Sequence, residues 1–175
     1  MSDIQSKLEQ VKQKESFLEK IARYIPGYKG YVDRDNSREI DTLLRGTLAK
    51  ALENNKVKFK NTVLSLSQRG KLFETEGIDK LEKKLDTVSA KFRAASRGFS
   101  GAFDVVKVKE EKLNQLYAFD ESLVGFVNEI EISCTELETN TKSNVDIEPV
   151  KEKISLQLDA LIYKFSEREN LLRSL

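Results

Sequence analysis

Residues 113–137, LNQLYAFDESLVGFVNEIEISCTEL, decide the fold of this chain. Core-type positions recur in this stretch with a strict alternation of three and four residues. They are Leu113, Leu116, Asp120, Leu123, Val127, Ile130, Cys134 and Leu137. This alternation is typical of a helix that packs along one narrow seam, as in a coiled coil. The stretch therefore predicts a long amphipathic helix in which one seam position holds an acid, Asp120.

Similar apolar stripes run through most of the chain and predict four further helices. We expect helix 1 at 3–24, helix 2 at 37–69, helix 3 at 78–96 and helix 5 at 146–172, with the stretch above as helix 4. Pro26 and Gly27 end helix 1, because proline disfavours a helical residue before it. Gly70 and Gly77 are expected to bracket the break before helix 3, and Asp146 is expected to cap helix 5.

These helices predict an all-α fold, an elongated antiparallel bundle of about five long helices with coiled-coil-like packing. We expect a single helical domain over 1–175. Helix 1 at 3–24 is either one member of the bundle or peripheral to a 37–175 core. In that alternative, helices 2 to 5 form a four-helix bundle and helix 1 is attached outside it.

The composition excludes several classes of site. The chain has 175 residues, no histidine and one cysteine, so it offers neither an imidazole base nor an internal disulfide. There is no apolar run of about 18 residues and no hydrophobic leader, so a cytoplasmic protein is expected. Residues 37–69 carry seven basic and three acidic groups, whereas 109–140 carry two basic and eight acidic groups. The two segments either complement each other within the bundle or leave a basic face for an anionic partner.

Two connections carry aromatic residues between glycines. If successive helices alternate in direction, the connections after helix 1 and after helix 3 lie at the same end of the molecule. Tyr28 and Tyr31 belong to the first connection, and Phe99 and Phe103 belong to the second. Aromatic side chains in loops need something to cover them. They either cover each other or form an exposed patch for a partner.

Three blocks resemble a family of uncharacterised bacterial and archaeal helical-bundle proteins. The blocks are IPGYKGYVDRDNSREIDTLLRG at 25–46, GFSGAFDVVKV at 98–108 and LNQLYAFDESL at 113–123. The resemblance supplies no established activity, and family members commonly have paired arginines where this chain has Ser37 and Arg38. The positions that it marks are Gly27, Tyr28, Gly30, Tyr31, Arg38, Asp41, Arg45, Gly98, Gly101, Phe103, Asp104, Tyr117 and Asp120.

The charged residues near the start of helix 2 and in helix 4 lead to two expectations. Arg38, Asp41 and Arg45 are spaced by three and four residues, so they share a stripe that we expect to be a solvated row of ion pairs. Asp120 lies on an apolar seam, where a carboxylate has to be paired, protonated or near solvent. We therefore expect Asp120 to contact an arginine or tyrosine from helix 2 or from the aromatic loops, and to fix the helix register.

The same residues favour a non-enzymatic function. No GxxxxGK[ST] phosphate loop is present, and no spacing requires a carboxylate site for magnesium or phosphate, so neither catalysis nor a metal or cofactor is predicted. We expect an intracellular helical scaffold or adaptor that binds another protein or itself. Its candidate partner-binding residues are Tyr28, Tyr31, Arg38, Asp41, Arg45, Phe99, Phe103 and Asp104.

Membrane association is the alternative. It would resemble that of the phage-shock coiled-coil proteins, with helix 1 or basic helix 2 on anionic lipid and the protein at the membrane periphery. The polar face of helix 1 weakens this alternative because it mixes acids with bases. Binding to nucleic acid is not expected, because a protein with a sequence pI near 7.7 lacks the basic footprint that such binding requires.

Overall fold

The computed structural model describes residues 2–29, 37–94 and 110–173, and these residues form α-helices joined by short turns. The helices are α1 (Ser2–Tyr24), α2 (Ser37–Asn54), α3 (Lys56–Gln68), α4 (Leu72–Ala94), α5 (Glu110–Lys142) and α6 (Glu148–Arg173). The all-α helical bundle predicted from the sequence is confirmed. Within the described ranges, none of these helices is long and apolar enough to cross a membrane.

Predicted helix 2 is present as two helices that meet at Asn55. The amide of Asn55 donates to the carbonyl of Leu52 at 3.0 Å, three residues back, so the hydrogen-bonding pattern tightens locally. The buried side chain of Asn55 donates through Nδ2 to the carbonyl of Ala51 at 3.2 Å. A side-chain amide that competes for main-chain carbonyls interrupts a helix without turning the chain away.

Four helical columns form the bundle: α2 with α3, then α4, α6 and α5, each packed against the next and α5 against α3. Columns that follow one another in the sequence alternate in direction, as expected. Contacts between α5 and α6 pair Asp120 with Arg168 and Glu136 with Lys153, which is an antiparallel arrangement. The neighbours α3 and α5 run in parallel instead. Lys58 reaches the carbonyl of Glu131, and Arg69, farther along α3, reaches the later carbonyl of Lys142.

The pair α4 and α6 is also parallel. Gly77, which the sequence predicts to lie at a break, is part of α4 in this pair. Gly77 lies inside α4, so the break predicted between Gly70 and Gly77 is limited to the turn before Leu72. A Cβ atom on Gly77 would lie 2.5 Å from the Cε and Nζ atoms of Lys151. These atoms are the far end of a flexible side chain that could move aside, so Gly77 is neither a helix stop nor required for the packing of α4 against α6.

Helix α1 packs against α5 from outside the four columns. Leu18, Ile21 and Ile25 are buried in this contact. The helix ends at Tyr24, and Gly27 has a φ of 89°, which glycine adopts without strain. Whether helix 1 is a member of the bundle or is peripheral to a 37–175 core stays a prediction.

The α3–α4 corner, residues 69–73, lies at the end of the bundle opposite the end where α4 finishes. Gly70 has a φ of 73°, and the amide of Lys71 donates to the carbonyl of Leu66 at 2.9 Å, which is the Schellman closure of a helix. Arg69 joins the corner to the end of α5 by donating to the carbonyls of Thr141 and Lys142 at 2.8 and 2.5 Å. Hydrogen bonds therefore hold the corner to the end of α3 and to the end of α5.

Candidate functional site

The strongest grouping of ionisable side chains is a buried polar cluster at the end of the bundle where α1 and α4 finish. Its members are Tyr28, Asp41, Arg45, Asp120 and Arg168, and each is no more than 4% exposed. They come from the turn after α1 and from α2, α5 and α6. The cluster thus lies at the end of the bundle where the segment after α1 meets the last turn of α4. Alternating helix directions are expected to bring these two parts together.

Asp120 stands at the centre of one half of the polar cluster. Its Oδ2 accepts a hydrogen bond of 2.7 Å from the hydroxyl of Tyr28, and its Oδ1 accepts one of 2.6 Å from Nε of Arg168. Both oxygens of this buried carboxylate are therefore satisfied. The tyrosine contact expected from the aromatic loop is present, whereas the arginine comes from α6 and not from helix 2.

Asp41 stands at the centre of the other half. Its Oδ1 accepts a hydrogen bond of 2.7 Å from Nη1 of Arg168, and its Oδ2 accepts one of 2.7 Å from Nε of Arg45. Arg45 also donates through Nη1 to the carbonyl of Phe92 at 3.0 Å, in the last turn of α4. A cation at this position satisfies an otherwise open carbonyl and is favoured by the helix dipole. Arg168 thus bridges two carboxylates, and Arg45 links them to α4.

Burial and ion pairing act in opposite directions on the pKa of Asp120 and on that of Arg168. Burial raises the pKa of Asp120 above its ordinary value, although the guanidinium of Arg168 acts against this rise. Burial alone would lower the pKa of Arg168, yet Asp120 and Asp41 together raise it. The pKa of Tyr28 is raised well above 10.0, first by burial and then by the neighbouring carboxylate of Asp120. Arg168 therefore stays cationic, and Tyr28 stays a neutral donor at physiological pH.

The space around the polar cluster is small. A cavity of about 10 Å³ lies against it, which is room for roughly one water molecule. Its lining residues are Tyr28, Ile40, Asp41, Leu116, Tyr117, Asp120 and Arg168. The described side chains around it face one another and leave no space for a substrate.

The structure corrects the expected solvated row on helix 2. Asp41 and Arg45 are 4% and 3% exposed. The reason is that α2 packs against both α4 and α5, so two adjacent positions in each turn are buried instead of one. Ile40 and Asp41 are buried together, and so are Leu44 and Arg45.

The remaining candidate partner-binding residues divide into two groups. Tyr28 is fully buried and bonded to Asp120, so it is not part of an exposed aromatic patch. Tyr31, Phe99, Phe103 and Asp104 lie outside the described residues, as does the side chain of Arg38, whose backbone belongs to α2. Their proposed role in binding stays a prediction.

The sequence analysis does not identify Arg168 as a site residue, although its place in the apolar pattern of α6 indicates that it is buried. It lies three residues after Phe165 and four before Leu172, on the apolar stripe of α6. It therefore occupies a core-type position in α6 just as Asp120 does in α5. Opposite charges at the seam positions of two antiparallel helices indicate a buried ion pair.

Exposed apolar side chains lie away from the polar cluster at several places, among them Val57 and Leu64 on α3. On α6, Leu156 and Tyr163 are 62% and 68% exposed, and at the α3–α4 corner Leu72 and Phe73 are 62% and 98% exposed. A groove of about 350 Å³ also opens between α5 and α6. Its lining residues are Gln115, Ala118, Phe119, Ser122 and Lys164.

The chain matches no protein family model, no curated protein and no solved structure. The resemblance to a bacterial and archaeal family of helical-bundle proteins stays a prediction.

Proposed function

We propose that the protein is a non-enzymatic helical scaffold that binds another protein, a second copy included, along the outer face of α6. The observation that carries this proposal is the exposure of Leu156 and Tyr163, at 62% and 68%. They stand two helical turns apart, so both side chains lie on one line along the helix. An amphipathic helix laid along that line would contact both of them.

A groove also lies between α5 and α6, and Lys164 is one of its lining residues. Lys164 follows Tyr163 in the chain and lies over the ring of Phe119, with Nζ at 4.7 Å from the ring centroid. Its charge is paired with Glu167 at 2.9 Å. The groove is within the size range of sites that bury a ligand or a partner's side chain.

The polar cluster supports the absence of catalysis. Its two carboxylates and two guanidinium groups are paired with each other inside the bundle. An ionisable group acts in catalysis only when the reacting atom comes within hydrogen-bonding reach. The cavity beside the cluster has about 10 Å³, so its groups serve to hold helices together.

The test is a comparison of wild-type protein with the double variant Leu156→Ser/Tyr163→Ser. Proteins captured from the native cell are identified by mass spectrometry, then purified and titrated against each form by calorimetry. Self-association is measured by analytical ultracentrifugation. We expect one partner, or the dimer, to be lost from this variant.

The matched control is Leu72→Ser/Phe73→Ser, because Leu72 has the same 62% exposure as Leu156. Circular dichroism melts verify that both variants are folded. A partner that binds wild type and both variants with equal affinity, together with an unchanged oligomeric state, would exclude the outer face of α6 as the binding surface.

A further inference from the structure

The small cavity beside the polar cluster is lined by polar side chains that are themselves buried. Its volume is about 10 Å³, and one water molecule needs roughly 10 to 15 Å³ of such space. Four of its lining residues belong to the cluster, and each is no more than 4% exposed: Tyr28, Asp41, Asp120 and Arg168. Apolar cavities stay dry, whereas a polar cavity of this size holds a water molecule that is bonded to about two to four partners.

Arg168 brings more hydrogen-bond donors to this cavity than its two carboxylate partners use. Its Nε donates to Asp120 and its Nη1 donates to Asp41. A guanidinium group has further N–H bonds on Nη1 and Nη2. Within the described ranges, Nη2 of Arg168 donates to no acceptor. A buried donor without an acceptor destabilises the folded protein, so this nitrogen calls for an acceptor inside the cavity.

The lining also offers acceptors that have lone pairs to spare. Oδ1 and Oδ2 of Asp120 each accept one hydrogen bond from a described donor, and Oδ1 of Asp41 accepts one as well. Each carboxylate oxygen has two lone pairs and can accept a second bond. The hydroxyl of Tyr28 donates its proton to Asp120, and its oxygen is still able to accept. A molecule in this cavity therefore has to donate hydrogen bonds as well as accept them.

The charges of the polar cluster exclude an ion from the same space. Asp41 and Asp120 carry two negative charges, and these are balanced by the two guanidinium groups of Arg45 and Arg168. An additional ion would be buried without a counter-charge, which is costly inside a protein. The occupant is therefore small, neutral and both a donor and an acceptor.

We propose that a single buried water molecule is the sixth member of the polar cluster. It accepts a hydrogen bond from Nη2 of Arg168 and donates to the buried carboxylates of Asp41 and Asp120. In this position it links α6 to α2 and α5 through groups that the side chains alone leave unsatisfied. The site goes beyond the proposed scaffold function, because it lies inside the bundle and uses no residue of the outer face of α6.

Oxygen-17 magnetic relaxation dispersion tests the proposal, because it counts the water molecules that a protein in solution holds for much longer than its surface waters. Full-length wild type is compared with Leu116→Phe, since Leu116 lines the cavity and a larger ring at this position fills it. We expect Leu116→Phe to hold one long-lived water molecule fewer than wild type. An equal number in the two proteins would overturn the proposal.

Leu81→Phe is the matched control. Leu81 is 5% exposed and Leu116 is 6% exposed, but Leu81 borders the open groove between α4 and α6 instead of the polar cluster. This variant should keep the wild-type number of long-lived waters, and circular dichroism melts verify that both variants are folded. The same loss in Leu81→Phe would overturn the assignment of the water to the cluster.

A crystal structure of the wild-type protein gives a measurement that depends on no variant. We expect a peak of electron density in the cavity at about 2.7–3.2 Å from Nη2 of Arg168. Crystals soaked in bromide should show no anomalous peak at this place. A well-ordered cluster around a cavity without density would overturn the proposal, and a bromide peak would overturn it in favour of an anion.

Discussion

Arg45 and Arg69 make the same kind of contact at opposite ends of the bundle in very different surroundings. Arg45 caps the last turn of α4 through the carbonyl of Phe92, and Arg69 caps the last turn of α5 through the carbonyls of Thr141 and Lys142. Arg45 is 3% exposed and bonded to Asp41, whereas Arg69 is exposed. A guanidinium group withdrawn from water needs a carboxylate, and one at the surface is stabilised by water instead.

The two ends therefore use their side chains in opposite ways. At the cluster end, charges are inside and hold five segments of the chain together. At the corner end, the charge is outside and two apolar side chains, Leu72 and Phe73, project beyond it. Charged side chains are therefore buried at the cluster end of this molecule, whereas apolar side chains are exposed at the corner end.

The largest effect is expected from Arg168→Met in the polar cluster. This change leaves Asp120 and Asp41 buried without the guanidinium that bridges them. We expect the free energy of unfolding to fall by about 3–5 kcal/mol, measured by urea denaturation. Lys153→Met on the same helix is the control. It breaks a half-exposed pair with Glu136 and should cost less than about 1 kcal/mol.

Adding Asp120→Asn to Arg168→Met separates charge from packing. The double variant removes one uncompensated carboxylate, so part of the lost stability should return. The same free energy of unfolding in the single and double variants would assign the loss to packing around the missing side chain.

A smaller effect is expected from Tyr28→Phe, and it should depend on pH. The variant loses one hydrogen bond to a charged group, which is worth about 1.5–3 kcal/mol near neutral pH. The pKa of Tyr28 is raised well above 10.0 by burial and by Asp120, so the unfolded chain releases this proton first. Wild-type stability that depends on Tyr28 is therefore complete below pH 10 and is lost as pH rises beyond it.

Urea denaturation of wild type and Tyr28→Phe across the alkaline range checks this prediction. The difference between their free energies of unfolding should be constant up to about pH 10 and then shrink. A difference that grows with alkaline pH would contradict the buried, protonated state of Tyr28.

The smallest effect is expected at the corner. Phe73→Ala removes a side chain that is 98% exposed, so the free energy of unfolding should stay within about 0.5 kcal/mol of wild type. Phe92→Ala on the same helix is the matched control. Phe92 is fully buried and stacks on Phe165 with ring centroids 4.1 Å apart, and its loss should cost about 3–5 kcal/mol. A clear loss of stability with Phe73→Ala would mean that the corner packs against part of the protein.

Much of the fold could be predicted from the sequence because apolar periodicity reports directly on helices. Asp120 and Cys134 lie on the predicted seam and are buried, and burial raises the pKa of the Cys134 thiol to about 12. Which helices lie side by side could not be predicted in the same way. The parallel packing of α4 on α6 depends on which columns lie side by side, and a stripe along one helix carries no information about that.

The polar cluster could be predicted only in part. A buried polar contact of Asp120 could be predicted because this residue interrupts a strict apolar pattern. Asp41 and Arg45 were assigned to solvent because i, i+4 ion pairs on one helix are usually exposed. Their burial follows from a second helix packing beside Ile40 and Leu44, and that contact is a property of the assembled bundle.

The bridge from Arg168 to Asp41 spans 127 positions of the chain and so has a consequence for synthesis on the ribosome. At about 5–20 residues per second, Asp41 leaves the ribosome roughly ten seconds before Arg168 is made. During that interval Asp41, and later Asp120, which precedes Arg168 by 48 positions, lack their shared counterion. The polar cluster therefore forms only after α6 has been made.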